Sequence, residues 1–326
     1  MIIVQTPFRV SFVGGGTDFK SYYQEQGGAV VSSAIDKYIY VTVKPQNTLF
    51  ETRFRISYSI TENVDSIEQI EHPIVREALR LLEIKDPLEI AVLSEIPART
   101  GMGSSSSFTV GLLNALHASK GEYVTPEQLA CEACHVEIDI LQRPIGKQDH
   151  YAASYGGLNR IQFDKDESVK VEPALCSLES RRQLFDHFMI FYTGITRDAE
   201  TVLQQQEDNV EDNRSRLEKM AEMVAPFFAL VNSGAAIADV GRLLHEGWLQ
   251  KQQLAKAVSS SQINSYYESA LAAGALGGKI LGAGGGGFLL LCVEEERRDA
   301  VRESLAELME FPVNYEPYGS RIIFVR

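Results

Sequence analysis

A glycine- and serine-rich segment, residues 97–107, carries the residue types that most clearly suit chemistry. It reads Pro-Ala-Arg-Thr-Gly-Met-Gly followed by four serines. Glycines allow backbone amides to converge on one point, serine hydroxyls add donors and a metal ligand, and a following helix would direct its positive end there. This set of groups suits phosphate oxygens and Mg²⁺. A flexible surface turn is the alternative, because glycine and serine clusters are common in such turns.

Glu137 is an acidic residue on the apolar side of a predicted helix. Counting about 100° per residue from Leu129, the apolar positions fill one sector, and Glu137 falls inside it at about 80°. An ionised carboxylate that faces a core is costly unless it is paired or binds a metal. Glu137 is therefore a candidate site residue, and a salt bridge to a buried arginine such as Arg9 or Arg99 is the alternative.

Asp149 is a candidate general base. It follows Glu137 by twelve positions, beyond a break at Pro144 and Gly146, and it lies close to Lys147 in the sequence. A nearby ammonium would keep the carboxyl group ionised, as a base that accepts a hydroxyl proton requires. A helix cap is the alternative role for this aspartate.

Two further glycine clusters lie near the two ends of the chain. A predicted strand runs into Gly14, Gly15, Gly16, Thr17 and Asp18. A carboxylate beside bare backbone suits sugar hydroxyls, whereas a tight hairpin would explain the glycines but not their number. Residues 277–287 read GGKILGAGGGG before another predicted strand. So much glycine weakens a fold unless a ligand approaches the backbone, and we expect substrate or phosphate there.

Length and composition indicate a globular protein with two domains. The chain has 326 residues, of which 44% are hydrophobic and 23% charged, and its formal net charge is -13. The acidic balance disfavours nucleic acid and anionic membranes as partners. The sequence contains no run of about eighteen apolar residues and no apolar core of a signal peptide at its start, so we expect a cytosolic protein. Of the four cysteines, Cys131 and Cys134 are interpreted as packing residues on one helix face, with a zinc site as the alternative.

The elements that must position these residues alternate between strands and helices in the first half. The predicted strands there are 2–13, 38–44, 54–59 and 88–96, and the predicted helices are 73–84, 108–117 and one that begins with a Thr125 cap. The polar stretch 164–182 suggests a boundary, giving domains 1–183 and 184–326. The second half contains predicted strands at 187–193, 287–293 and 321–325, and helices from about residue 196 and at 295–309.

The three glycine-containing motifs together resemble the GHMP superfamily of small-molecule kinases. They run from Pro7 to Asp18, from Pro97 to Ser107 and from Gly282 to Gly287, in the order that the family has. The resemblance implies an α+β fold, with an N-terminal domain like the second domain of ribosomal protein S5 and a ferredoxin-like C-terminal domain. It also implies an active site between the domains that uses ATP and Mg²⁺.

The resemblance assigns roles to individual residues. Ser105, with Ser104 adjacent, and Glu137 would bind Mg²⁺. Asp149 would be the base, and Arg9 would stabilise the phosphoryl group or lower the pKa of Asp149. The catalytic set is expected to be Asp149, Arg9 and Lys147. The expected ATP-binding residues are Arg99, Gly101, Gly103, Ser104, Ser105, Ser106 and Ser107. The expected sugar-binding residues are Gly14, Gly15, Gly16, Thr17, Asp18, Asp149, Arg197, Gly284 and Gly285.

Within the superfamily, three features look like the D-glycero-D-manno-heptose 7-phosphate kinases, with fucokinase-like domains as near relatives. They are the Gly-Gly-Gly-Thr-Asp motif, the Gly27-Gly28 pair and the segment from Thr193 to Arg197. Galactokinases carry Glu and His in place of Gly15 and Gly16, and their loss leaves room for a heptose. The implied reaction transfers the ATP γ-phosphate to the anomeric hydroxyl of heptose 7-phosphate. Arg99, Lys147 or Arg197 would touch phosphate.

Two other functions compete with this one. The first is an anomeric kinase for an unphosphorylated sugar such as fucose or mannose. The second is a non-catalytic sensor that binds sugar and ATP, and the presence of Ser105, Glu137 and Asp149 argues against it.

Overall fold

The larger of two sheets combines the first half of the chain with one strand from near its end. A computed structural model describes residues 1–47, 49–98, 100–196, 199–234 and 236–326. Among these residues the sheet has eight strands: β1 (Ile2–Val13), β2 (Gly28–Pro45), β3 (Phe54–Ser57), β4 (Thr61–Val64), β5 (Leu88–Ser94), β6 (Leu158–Phe163), β7 (Val169–Pro173) and β12 (Arg321–Val325). The main order is β12-β1-β2-β5-β3-β4, and β6 pairs with β2 and β7.

The smaller sheet is formed by the second half of the chain. Its strands are β8 (Phe188–Tyr192), β9 (Ala275–Ile280), β10 (Phe288–Val293) and β11 (Met309–Glu310). They lie in the order β11-β8-β10-β9, and every neighbouring pair is antiparallel. All six residues of β10 are buried, because this apolar central strand is covered on both faces.

Helices cover both sheets. In the described part of the chain they are α1 (Lys20–Gln26), α2 (Pro73–Leu81), α3 (Ser104–Ser119), α4 (Pro126–Cys134), α5 (Gln148–Tyr155), α6 (Leu178–Asp186), α7 (Ala199–Asp208), α8 (Arg214–Glu222), α9 (Val224–Ser233), α10 (Ile237–Lys251), α11 (Ser261–Ala272) and α12 (Arg298–Ser304). Helix α3 packs on β1 and β2, and α10 packs on β9. No described helix is long and apolar enough to cross a membrane, and the predicted cytosolic location stays a prediction.

An aromatic stack joins the two halves of the chain. The Phe12 ring of β1 lies with its centroid 5.1 Å from that of Phe188 and 5.4 Å from that of Phe227. Aromatic pairs of this kind contribute about 0.5–1.5 kcal/mol beyond the burial of their area. The core is therefore continuous from β1 to β8 and α9, and the elements on either side of the cleft described below are held in place by it.

Helix α3 begins four residues earlier than the sequence predicts. The predicted start is residue 108, whereas the helix begins at Ser104 behind the left-handed Gly103. Serine is a weak helix former in the middle of a helix, but it is well tolerated in a first turn. The serine-rich segment is thus the N-terminal turn of a buried helix and not a separate loop.

The helix that carries Glu137 changes its winding. Its start agrees with the prediction, because the Thr125 hydroxyl accepts a hydrogen bond of 3.2 Å from the Gln128 amide. After α4 the chain continues as a π-helix over His135–Ile140. Such wider turns are rare and are frequent at functional sites. Glu137 lies in this segment and is fully buried, in agreement with the prediction.

One other expectation differs from the structure. The predicted helix 295–309 is shorter: α12 ends at Ser304, a turn follows, and Met309–Glu310 pair with β8 as β11. The division at residues 183 and 184 stays a prediction. The position lies inside α6, and β12 pairs with β1, so that the last strand belongs to the first sheet.

Candidate active site

A cavity of about 1080 Å³ lies between elements of the two halves of the chain. Its volume is close to the upper end of the range of ligand pockets, which is about 300–1,000 Å³. The residues that line it include Arg9, Gly15, Gly16, Asp18, Gly101, Gly103, Ser104, Ser105, Ser106, Glu137, Arg143, Asp149, Lys251 and Gly282. Most of the residues expected from the sequence are therefore in one place.

The N-terminus of α3 forms one wall of the cavity. Ser104, Ser105 and Ser106 line it, and the free amides of the first helical turn point toward it. Ser107 does not belong to this wall, because its hydroxyl donates to the Pro7 carbonyl at 2.9 Å and is buried. Ser107 therefore packs the helix against β1, and the sequence-based expectation that it contacts ATP is not met by this geometry.

Glu137 and Ser105 form a compact polar cluster at that wall. The Ser105 hydroxyl donates to Glu137 Oε2 at 2.5 Å, and Thr109 donates to Oε1 at 2.8 Å. Nη1 of Arg143 contacts Ser105 Oγ at 2.6 Å and Glu137 Oε2 at 2.7 Å. Burial raises the pKa of Glu137, but the hydrogen bond and charge of His150, with Ser105 and Arg143, outweigh burial and lower it to about 2. Glu137 is thus ionised at neutral pH.

The cluster fits a magnesium ion in its donor chemistry. Ser105 Oγ and Glu137 Oε2 are hard oxygens, and a cationic nitrogen of Arg143 already contacts both. Among the described residues, no group of three or more His, Cys, Asp or Glu side chains is placed to hold a metal. Mg²⁺ is commonly held by one or two protein oxygens together with phosphate and water. The salt bridge that the sequence left open is also present, but its arginine is Arg143, whereas Arg9 pairs with Asp149.

Asp149 is gripped by Arg9. The Arg9 guanidinium donates from Nε to Oδ1 at 2.6 Å and from Nη2 to Oδ2 at 2.7 Å, and Nη1 donates to the Gly101 carbonyl at 2.7 Å. This two-point contact fixes both oxygens of the carboxylate. The Arg9 side chain is 4% exposed and that of Asp149 is 22% exposed, so the carboxylate still opens to the cavity. The carboxylate is bonded to a side chain, which argues against the helix-cap role.

Lys147 is not beside Asp149, and that expectation was wrong. The Lys147 ammonium lies 3.3 Å from the Glu167 carbonyl oxygen and 3.9 Å from Glu167 Oε2, over the ring of Tyr23. Residues two positions apart at a helix start project to different sides, which explains the error. The cation that faces the Asp149 carboxylate is Arg9.

Asp18 is held by amide groups at the other end of the cavity. Its Oδ1 accepts hydrogen bonds from the Gly16 amide at 3.0 Å and from Nε2 of Gln148 at 2.9 Å. The pKa of Asp18 is raised, first by burial and then by the charge of Asp149. The hydrogen bonds from Gly16 and Gln148 offset part of this increase. A Cβ atom at Gly146 would lie 1.9 Å from Asp18 Oδ2, so only glycine allows this approach. Gln148 was not singled out from the sequence.

Four of the residues that were expected to bind sugar do not line the cavity. The Thr17 hydroxyl is buried within hydrogen-bond distance of the Gly14 and Ala29 carbonyls, at 2.8 and 2.9 Å. The Gly285 amide donates to the Val258 carbonyl at 2.7 Å, and Gly284 packs on the same residue. Gly14, Thr17, Gly284 and Gly285 therefore shape the loops, and the expectation that they contact sugar is corrected. Gly15, Gly16 and Gly282 line the cavity instead.

Two glycines bring the walls of the cavity into backbone contact. A Cβ atom at Gly282 would lie 2.4 Å from Gly101 Cα, and the backbone there has a positive φ of 66°.

We predict that Gly282→Ala lowers the melting temperature by several degrees, because the clash adds to the cost of about 1–2 kcal/mol for a left-handed alanine. Gly121→Ala is the matched control, with a φ of 77° and nothing within 4 Å. Equal shifts in thermal unfolding would show that the contact has no cost.

One end of the cavity is apolar and aromatic, and the sequence did not indicate it. Tyr58, His72 and Phe108 line this end, with ring centroids of His72 and its two neighbours 4.8 and 5.1 Å apart. These residues come from three separate elements, so no local pattern could have revealed them. Arg99 and Arg197, which were expected to contact phosphate, lie outside the described residues.

Comparison with known proteins identifies the family. The family model described as "GHMP kinases N terminal domain" matches residues 73–157, and "GHMP kinases C terminal" matches residues 232–310. The chain belongs to the GHMP kinases. The predicted superfamily and fold class are thereby confirmed, and with them the enzyme class, a sugar kinase.

Individual relatives give a finer picture. The chain is 28% identical over 303 residues to the D-glycero-alpha-D-manno-heptose 7-phosphate kinase of Campylobacter jejuni, covering 87% of this chain and 86% of that protein. It is 24% identical to the galactokinase of Pyrococcus furiosus, with the same coverage of each. A crystal structure of a D-glycero-D-manno-heptose 1-phosphate kinase from Bacteroides thetaiotaomicron matches with a TM-score of 0.82 and 21% identity over the whole of both chains. This last likeness establishes the fold.

Proposed function

We propose that the protein transfers the γ-phosphoryl group of ATP to the anomeric hydroxyl of D-glycero-D-manno-heptose 7-phosphate. The observation that carries the proposal is the position of Asp149. A Cβ atom at Gly103, which caps the serine turn, would lie 3.2 Å from Asp149 Oδ2. A carboxylate at the end of a phosphate-binding turn is where an acceptor hydroxyl must meet the γ-phosphate.

The reaction assigns a role to each group at this junction. The sugar hydroxyl oxygen bonds to the γ-phosphorus, its proton passes to Asp149, and the bond from phosphorus to the bridging oxygen breaks to release ADP. Arg9 orients the carboxylate through both of its oxygens. Because the guanidinium is also tied to the Gly101 carbonyl, the base and the phosphate loop keep a fixed separation.

The nucleotide is placed by the serine turn and the aromatic end of the cavity. Phosphate oxygens would accept from the first-turn amides of α3 and from the hydroxyls of Ser104 to Ser106, where the helix dipole favours negative charge. The base of the nucleotide would lie against Tyr58, His72 and Phe108. Ser105 and Glu137 would hold Mg²⁺, which when bound neutralises phosphate charge during transfer.

The choice of a heptose rests on the sugar end of the cavity and on a relative. A Cβ atom at Gly15 would have its nearest neighbours 3.7 Å away, so the absence of a side chain there leaves open space. Asp18 and Gln148 offer fixed acceptors and donors to sugar hydroxyls. The Campylobacter jejuni relative, matched over most of both chains, is named for heptose 7-phosphate.

A second candidate is an anomeric kinase for an unphosphorylated sugar. It is favoured by the similarity to L-fucokinase/L-fucose-1-P guanylyltransferase of Bacteroides fragilis, 26% identical over 287 residues, although the chain spans 30% of that protein. A non-catalytic sensor of sugar and ATP remains the third candidate. The ionised Glu137 and the partly exposed Asp149 argue against it.

The test is ADP release across a panel of sugars. We expect release with heptose 7-phosphate and little with heptose, mannose or fucose, and a new phosphorus NMR signal from an anomeric phosphate. Release with fucose or mannose in preference would support the second candidate. Binding of sugars without release from any of them would support the sensor.

A further inference from the structure

Lys251 is a buried lysine at the end of α10 whose ammonium faces the cavity. Its residue is 5% exposed, and its Nζ donates to the carbonyl of Gly282. The charges of Arg9, Asp18 and Asp149 act on this ammonium and shift its pKa. No sequence motif pointed to Lys251, because an isolated lysine in an amphipathic helix is ordinarily a surface residue.

The burial of this ammonium leaves hydrogen-bonding capacity unused. An ammonium has three N–H donors. In the part of the chain that the structure describes, the Gly282 carbonyl is the one acceptor recorded for it. A buried ammonium is costly unless acceptors or opposite charges compensate it, and because Lys251 lines the cavity a bound ligand can supply further acceptors.

Lys279 shows what a merely structural lysine looks like in this fold. It is 4% exposed, its ammonium donates to the Phe12 carbonyl at 2.9 Å, and it does not line the cavity. Burial lowers the pKa of Lys279 well below its usual value, and the charges of Lys251 and Arg9 lower it further. Lys251 differs because it lines the cavity and has two carboxylates within electrostatic reach.

Lys251 lies close to the segment that is proposed to bind the phosphates. The lysine bonds Gly282, and Gly282 lies in backbone contact with Gly101 of the phosphate-binding segment. Arg9, on the same Gly101, connects this point to Asp149. Lys251, on α10, therefore lies on the side of the cavity formed by the second half of the chain, near the point where the proposed acceptor hydroxyl and the γ-phosphate meet.

We infer that Lys251 is a phosphate-binding residue of the cleft, with an ammonium that donates to phosphoryl oxygens of a bound reactant. The inference rests on the proposed function in so far as the cleft binds ATP and a sugar. Two reactants offer the same chemistry, since both the γ-phosphoryl group of ATP and the sugar's own phosphate present anionic oxygens. A charge-assisted hydrogen bond to either is expected to change affinity about 10- to 100-fold.

Lys251→Met separates the two sources by binding measurements. The probes are ADP, a non-hydrolysable ATP analogue with Mg²⁺, heptose 7-phosphate and heptose, each measured by titration calorimetry on the full chain. If Lys251 binds the γ-phosphoryl group, the analogue loses affinity and ADP does not. If it binds the sugar phosphate, heptose 7-phosphate loses affinity and heptose does not. Lys279→Met is the matched control. It should alter neither the ratio of ATP-analogue affinity to ADP affinity nor the ratio of heptose 7-phosphate affinity to heptose affinity.

Unchanged ratios in Lys251→Met, with the protein folded by its melting curve, would overturn the inference. A methionine of similar length replaces a buried charge by an apolar group, so the variant is expected to fold. If none of the sugars tested leads to ADP release by the wild-type protein, the proposed function fails. The ratio of ATP-analogue affinity to ADP affinity still decides the role of Lys251 in that case. The two failures are therefore distinguishable.

The pH dependence of binding gives an independent readout. Burial and the Arg9 charge lower the pKa of Lys251 to about 8, although the charges of Asp18 and Asp149 act to raise it. Lys279 is a further cationic neighbour, since the charge of Lys251 lowers its pKa. The protonated form binds phosphate, so the affected ratio should decline as the pH rises through and above about 8. Lys251→Arg keeps its charge in this range and should abolish the decline. A decline of the same size in Lys251→Met would contradict the assignment.

Discussion

Replacing Asp149 by asparagine is expected to lower turnover by about 10²-fold or more while the affinity for nucleotide changes little. Asparagine keeps the size of the side chain and one oxygen for the Arg9 guanidinium, but it does not accept the hydroxyl proton. The proposed nucleotide contacts lie on the serine turn, which this substitution does not alter. Turnover would be measured with heptose 7-phosphate, and nucleotide affinity by titration with a non-hydrolysable ATP analogue.

The control for Asp149→Asn separates chemistry from folding. Loss of one partner of a buried pair often destabilises a protein, so the melting temperature of the variant must be recorded. Asp139→Asn makes the same chemical change in an exposed pair with His135 and should leave turnover intact. If Asp149→Asn retains most of its turnover, Asp149 is not the base, and the proton must pass to another group.

The second large effect is expected for Glu137→Gln. The variant keeps the volume of the side chain and one of the two oxygens that accept from Ser105 and Thr109, but it removes the charge that would hold Mg²⁺. We expect the Mg²⁺ concentration for half-maximal turnover to rise by about tenfold or more, in line with the loss of one charged ligand oxygen. Binding of the ATP analogue in the presence and absence of Mg²⁺ checks this without turnover.

Arg143→Met is the matched variant, in which we expect no increase in the Mg²⁺ concentration needed for half-maximal turnover. Arg143 contacts the same two oxygens that would hold the ion, and its Nε lies 3.3 Å from the Glu200 carboxylate on α7. Its removal relieves competition for Ser105 and Glu137, so the Mg²⁺ requirement should stay the same or fall. An unaltered Mg²⁺ titration in Glu137→Gln would return Glu137 to the role of a salt-bridge partner of Arg143.

The sequence revealed those site residues whose chemistry conflicts with their local pattern. Glu137 stood out because a carboxylate occupied an apolar helix face, and the structure buries it fully. Asp18 stood out because it follows bare backbone, and it is held at the cavity by Gln148. Such conflicts between a residue and its surroundings are expected at functional sites.

The partners of these residues could not be read from the sequence. Arg143 lies in a loop after the π-helix, and nothing in the local pattern distinguishes it from a surface arginine. The pairing of Arg9 with Asp149 joins residues that are 140 positions apart, and the family resemblance, not the local pattern, suggested it as one of two roles for Arg9. Lys147 was assigned to Asp149 because it is close in sequence, whereas helix geometry sends it to Glu167. Contacts of this kind depend on how distant elements pack, which local spacing does not encode.

Secondary structure was easier to predict than its arrangement. The bounds of β1 and the residues of β12 agree with the predictions, since both are rich in β-branched residues. Their antiparallel pairing was not predicted. The start of α3 was placed too late, because a row of serines has a weak intrinsic preference for helix.

The pairing of β1 with β12 also bears on how the chain acquires its fold during synthesis. The two strands are about three hundred residues apart, and contacts over such separations slow folding because a long loop must close first. β1 leaves the ribosome early and has to wait for a partner that emerges after the whole smaller sheet. Until then one edge of β1, with its unpaired amides and apolar side chains, is open to association with other chains. Molecular chaperones are thus expected to matter more for the yield of this protein than for that of a protein whose sheets each close locally.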